Sequence, residues 1–169
     1  MSYDEHYGGE MIAILGGTQS QKAHVESMIS FCLEKLMPRL RYKVDITVRL
    51  SRTLCSASGL MGSCMELDGT KAPRSFHIEA DSSQRLRTLL TTIAHEMVHV
   101  KQYARNEQQF VASEGKYKWQ GKKVDIHKTD YWDLPWEIEA HGRETGLFVN
   151  WCIANGHQNK SWTFDRNEK

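Results

Sequence analysis

Between Ser83 and Arg105, the residues Leu86, Leu90, Ile93, Met97, Val100 and Ala104 recur at steps of three and four, while Thr88, Thr92, His95, His99 and Gln102 recur on the opposite side. That period belongs to an α-helix with one apolar and one polar face. Such a helix folds only against a core on its apolar side, and here it aligns two imidazoles on the other. The expectation is a packed helix with its histidines facing outward.

The remaining patterns supply the core. After Thr18, the residues Val25, Met28, Ile29, Cys32, Leu33 and Leu36 recur at helical spacing, with Thr18 or Ser20 available as N-cap and Pro38 as a stop. Tyr42, Val44, Ile46, Val48 and Leu50 alternate with Lys43, Asp45, Thr47 and Arg49, the period of a half-buried strand. A second strand is expected within Leu60 to Leu67, and a third over Ser75 to Ala80, where Phe76, Ile78 and Ala80 share one side. Lys116 to Ile126 reads as a hairpin turning at Gln120-Gly121, and a last helix runs from Pro135 to about Ala154, closed by Asn155-Gly156. The sum is one α+β domain over residues 1–169, with its core at about 18–154 and a polar C-terminal end expected to fray. A chain of 169 residues is long enough to bury a core without staples.

Charge and cysteines narrow the function. With 22 Lys+Arg against 21 Asp+Glu, the chain lacks the basic footprint of a nucleic-acid binder, so nucleic acid is not an expected partner. The lysines at 116, 118, 122, 123 and 128 read as a solvated hairpin face. No apolar stretch approaches the roughly 20 residues that span a bilayer, and no membrane partner is expected. The opening MSYDEHYGGE has neither a basic start nor an apolar run, and Cys32, Cys55, Cys64 and Cys152 form no CxxC, so a cytoplasmic protein with reduced thiols is expected.

The polar face of the 83–105 helix contains His95-Glu96-Met97-Val98-His99. Two imidazoles four residues apart stand one above the other, about 6 Å along the axis, and can share one metal ion. Glu96 is turned about 100° from His95, where it can reach a water without ligating the ion. A hydrolytic zinc takes three protein ligands and keeps a fourth position open. The last helix offers Glu137, Glu139, His141 and Glu144 as the third. Glu139 stands four residues before Arg143, the spacing of a helical ion pair, whereas Glu137, His141 and Glu144 share another face. Glu137 is therefore the expected ligand, with Glu139 the alternative and His141 after it; His141 could instead orient Glu137 or bond the transition state. Tyr131, His141 and Tyr117 are candidates for stabilising an oxyanion. His6, His24, His77, His127 and His157 have no partner at metal spacing and read as surface or hydrogen-bonded residues.

HEMVH, with the strand SFHIEA upstream and an ExxA helix downstream, resembles the minimal zincin domain of gluzincin metallopeptidases. The chain is also similar to compact SprT-like and phage-encoded metallopeptidases that carry a PWEIEA-type segment. The resemblance spans roughly residues 18–154. It implies a zincin-like fold, a small twisted sheet with an edge strand beside the HExxH helix. It implies one zinc per chain held by His95, His99 and Glu137, and Glu96 as general base. It also implies a protein or peptide substrate pairing with Ser75–Ala80 as the edge strand, and host cytoplasm if the chain is phage-encoded. His141 stands where many gluzincins have Asp, and the zinc-ribbon cysteines and third histidine of SprT-like proteins are missing. Two other readings of the same residues are a non-haem iron enzyme and a non-catalytic binding or regulatory module tied together by its metal.

Overall fold

The computed structural model describes residues 11–164. Strand β1 (Met11–Gly16) leads through a Gly-Gly turn into helix α1 (Gln19–Leu36). Thr18 starts α1 with a capping box: its hydroxyl accepts from the Gln21 amide, and the Gln21 side chain accepts from the Thr18 amide. Strand β2 (Asp45–Ser51), the short helix α2 (Leu54–Ser58), and strands β3 (Gly62–Glu66) and β4 (Ser75–Asp81) follow. Helix α3 (Leu86–Ala104) then runs into β5 (Gln108–Val111), β6 (Lys116–Trp119) and β7 (Lys122–Val124), and α4 (Pro135–Ala154) closes the fold. The mixed α and β content agrees with an α+β class.

The first sheet has the order β1-β2-β4-β3, with β1, β2 and β4 parallel and β3 antiparallel to β4. This corrects the expected place of Ser75–Ala80. That segment is β4, bonded on both sides, and the outer strands of the sheet are β1 and, next to β4, β3. Alternation of side chains reports which face of a strand is buried and carries no information about its neighbours in the sheet. Strand β1 was not anticipated, because MIAILG is a short apolar run without alternation; it pairs along β2 and turns Ile12 and Ile14 toward the core. Strand β2 begins three residues later than Tyr42, which is exposed in a single helical turn at Arg41–Lys43.

Ile46, Val48 and Leu50 of β2 and Phe76, Ile78 and Ala80 of β4 form one buried face of the sheet. Val25, Met28, Ile29 and Leu33 of α1 and Leu90, Ile93 and Met97 of α3 join them in one core. Each such side chain contributes about 1.5–3 kcal/mol when fully buried. Helix α3 is covered almost all round. Its expected outward face is not exposed, because α4 packs along it and buries His95, His99 and Gln102 with Glu96 and Lys101. Below the apolar core, this polar seam between two helices is where the chemistry-bearing residues collect.

The hairpin turns as expected at Gln120-Gly121, both with positive φ (47° and 80°), the geometry a two-residue β-turn needs. Strand β5 joins it as an unanticipated third strand, giving the order β5-β6-β7. Trp136 of α4 stacks on Tyr117 and Trp119 at 5.6 and 6.5 Å and holds this small sheet to the helix. Lys118 and Lys123 pair with Glu114, and Lys128 with Asp125.

The polar end is not loose over residues 155–164, contrary to expectation. Trp162 packs on Phe148 and Trp151, and the Arg87 guanidinium donates to the Thr163 carbonyl. His24 and His157 are half-buried in that aromatic cluster, 5.8 Å apart between ring centres, and His24 is hydrogen-bonded as expected, its Nδ1 2.7 Å from the Ser20 carbonyl oxygen. His6 lies outside the described residues. All four cysteines are free thiols, with Cys32 and Cys152 buried. Among the described residues, no helix is long and apolar enough to cross a membrane.

Candidate metal centre

The seam between α3 and α4 brings together three atoms that could each offer a lone pair to a metal ion. His95 Nε2 and His99 Nε2 stand 3.1 Å apart, and Glu137 Oε2 lies 3.4 Å from the first and 3.6 Å from the second. The other ring nitrogens decide where the imidazole protons sit. His95 Nδ1 is 2.7 Å from Glu144 Oε2, a carboxylate that only accepts, so Nδ1 carries the hydrogen. His99 Nδ1 is 2.8 Å from Gln102 Oε1. That oxygen is assigned by the far side of the same amide, whose Nε2 donates to the Trp136 carbonyl and to Glu139 Oε2 at 2.9 and 3.1 Å. Both Nε2 lone pairs therefore face each other and a carboxylate with no hydrogen between them, an arrangement that only a cation relieves.

The spacing fits a metal. Nitrogen and oxygen ligands at about 2.0–2.1 Å from one ion, held at the tetrahedral angle, lie roughly 3.3 Å apart. The three observed separations bracket that value. All three residues are buried, the carboxylate at the first turn of α4 where Pro135 starts the helix. Without a metal, a proton fills the role: burial alone would lower the His95 pKa, but the Glu137 and Glu144 carboxylates outweigh it and push it up to about 9. Glu137 is held well below the usual carboxylate range, where bonds from His95, His99 and Tyr131 overcome its burial.

Around the donors is a second ring of contacts. Tyr131, in a single helical turn capped by Asp130, donates its hydroxyl to Glu137 Oε2 at 2.8 Å. His141 lies against the His95 ring at 4.5 Å, with Nδ1 3.2 Å from Glu144 Oε2 and Nε2 3.4 Å from the Tyr131 hydroxyl. It thus orients the partners of the ligands and makes no bond to Glu137 itself. Because Glu144 fixes both the tautomer and the ring of His95, Glu144→Ala is expected to weaken metal affinity roughly 10–100-fold, read by competition with a chelating dye. An unchanged affinity would show that Glu144 has no part in holding the ion.

Glu96 lines the same cavity of about 510 Å³ as His95, His99 and Glu137. Burial raises its pKa against the pull of His99 and His95. Strand β3 closes over it at Gly62, where a Cβ would stand 2.7 Å from Glu96 Oε1 and 2.5 Å from the Thr92 methyl. Only glycine lets the strand approach the carboxylate so closely.

The structure therefore gathers His95, Glu96, His99, Tyr131, Glu137, His141 and Glu144, with Tyr117 on the cavity wall. Glu139 is not among them. Its carboxylate takes the buried Lys101 ammonium at 2.6 Å, the Gln102 amide and Arg143 at 2.9 Å, so the ion-pair reading applies and the alternative third ligand does not. Sequence reasoning missed the role of Gln102, although its place three residues after His99 on the polar stripe was the available signal, and it missed Gly62. Among the described residues, His95, His141 and Glu144 form the other metal-capable group, but their atoms are already satisfied by the bonds above. Comparison with protein-family models, curated proteins and solved structures found no match to this chain, so the centre is read from its own geometry.

Proposed function

We propose that this protein is a zinc-dependent peptidase in which His95, His99 and Glu137 hold the ion and Glu96 is the general base. The observation that carries the reading is the triangle of three lone-pair donors, with both Nδ1 protons committed elsewhere and a buried carboxylate beside it in one cavity. A bound zinc ion supplies Lewis acidity, which acidifies water and polarises a carbonyl. The residues of the chain supply the proton path and the orientation. Glu96 takes the proton of the attacking water and returns it to the leaving amine nitrogen, a role suited by a carboxyl whose pKa is raised. Tyr131 donates its hydroxyl to Glu137 Oε2 and steadies that carboxylate, and His141 stands behind it, beside the Tyr131 hydroxyl and Glu144.

The donor set alone also suits ferrous iron. The buried Glu96 favours hydrolysis, since an oxygen-activating site has no use for a base at that position. A closed four-ligand structural site would need His141 on the ion, and His141 is engaged by Glu144 and Tyr131. The test is Glu96→Gln, which keeps size and removes basicity. Cleavage of an unfolded protein substrate is expected to slow by about 10²–10⁴-fold, with zinc content unchanged. Cleavage at the wild-type rate by metal-matched Glu96→Gln overturns the mechanism.

A further inference from the structure

The two imidazoles of the donor set are held by unlike partners, His95 by a carboxylate and His99 by the neutral amide of Gln102. Gln102 is 0% exposed, so water replaces neither end of that amide. Its Oε1 accepts from His99 Nδ1 at 2.8 Å, and both hydrogens of its Nε2 are used, one on the Trp136 carbonyl at 2.9 Å and one on Glu139 Oε2 at 3.1 Å. An amide fits its space either way round. Turned over, it would donate to His99 Nδ1 and move the ring proton to Nε2, where the donor triangle needs a lone pair. The acceptors on its far side prevent this. One is fixed backbone; the other accepts on both oxygens only because it is a carboxylate. Glu139 Oε1 is claimed by the buried Lys101 ammonium at 2.6 Å and by Arg143 Nε at 2.9 Å. Hydrogen bonds therefore point from His99 to Gln102 to Glu139 on one side and from Lys101 to Glu139 on the other, and the carboxylate is where both runs end.

We infer that Glu139 is a positioning residue for the metal centre, acting through Gln102: by accepting on both oxygens it fixes which way the amide lies, keeps the His99 proton on Nδ1 and leaves the Nε2 lone pair to the ion. This rests on the metal half of the peptidase reading, the donor set of His95, His99 and Glu137, and does not depend on the reaction carried out there. It makes the isosteric amide the damaging substitution. In Glu139→Gln a single oxygen has to serve both sides. Lys101 and Arg143 take it, since an ammonium has only donors to offer, and the new NH2 group is left facing the NH2 of Gln102. Turning Gln102 over relieves that clash and places the His99 proton on Nε2, so zinc has to displace the proton and restore the clash. Glu139→Ala sets no donor against Gln102, and the Trp136 carbonyl still holds the amide. A Glu139 that served only to tie helices together would give the opposite order, because alanine removes every bond at this position and glutamine keeps one side.

Zinc affinity, measured by competition with a chelating dye, tests this alongside the melting temperature of the same zinc-loaded proteins. Glu139→Gln is expected to weaken zinc binding about tenfold and Glu139→Ala less than about threefold, although the alanine variant melts lower. A loss of that size from a tight site leaves the zinc content near one ion per chain, so it is read as affinity. Lys101→Met in the Glu139→Gln background frees the new oxygen to face Gln102 and is expected to recover most of the loss. Wild-type affinity in Glu139→Gln, weaker binding by Glu139→Ala than by Glu139→Gln, or no recovery in the folded double variant overturns the inference. Each comparison decides alone where the variant of the other does not fold. Glu137→Ala is measured in parallel. If it keeps its zinc, the metal centre falls and this inference with it; if it loses zinc while the order at position 139 is reversed, the centre stands and only this inference is removed. The expected order without any peptide cleavage leaves the inference standing and removes the peptidase.

Discussion

Zinc content is expected to fall from about one ion per chain in the wild type to under about 0.1 in Glu137→Ala, and to stay near one in Glu139→Gln. The two residues lie one helical face apart, and the structure gives them opposite company. Glu137 Oε2 completes a triangle with two imidazole nitrogens, while Glu139 is occupied by Lys101, Gln102 and Arg143. Removing Glu137 leaves two nitrogen donors on one helix, too few for a closed set of three, and also leaves Tyr131 without its acceptor. Mass spectrometry of protein purified without added metal gives identity and stoichiometry together. Retention of one zinc by folded Glu137→Ala would show that the ion is held elsewhere.

The second large effect concerns stability. Lys101 is buried on α3, with its ammonium 2.6 Å from Glu139 and 2.7 Å from Glu107. It ties α4 and the approach to β5 to the helix that bears both histidines. Lys101→Ala leaves two partly buried carboxylates short of their shared cation, and breaking a buried pair from one side costs about 3 kcal/mol or more. For a chain of this size that corresponds to a melting temperature lower by roughly 10 °C. Arg143→Ala removes an exposed contact to the same Glu139 and is expected to cost under about 1 kcal/mol. Thermal unfolding of both variants checks the contrast, and a Lys101→Ala protein as stable as Arg143→Ala would show that the buried network adds nothing.

Much of the site was legible because it is helical. On one helix, spacing fixes direction, so His95, Glu96 and His99 could be assigned from HEMVH alone, and the shared face of Glu137, His141 and Glu144 followed from steps of four and three. Glu139 was readable as an ion-pair partner for the same reason, although its stronger partner, Lys101, lies on another helix. The limits of the last helix, the cap at Thr18 and the turn at Gln120-Gly121 are also local chemistry, written in Pro, Gly, Asn and a capping box.

What depended on distant neighbours was misread or unseen. Period two marked Ser75–Ala80 as a strand but gave no sign that β2 and β3 would flank it. The 83–105 helix was legible as two-faced, yet whether its polar face met water or another helix depended on α4, some thirty residues on. Gly62 carries no motif; its meaning comes only from the Glu96 carboxylate and the Thr92 methyl that stand opposite it.

By itself, then, the sequence determined the three long helices, the start of the first and both ends of the last, the faces on which imidazoles and carboxylates lie, and the kind of chemistry those groups can support, because each rests on contacts within a few residues of chain. The tertiary structure alone decided that the polar faces of α3 and α4 meet, that Glu137 rather than Glu139 completes the donor set, and that β3 and β5 line one cavity, because burial, sheet neighbours and hydrogen-bond partners are set by segments far apart in the chain.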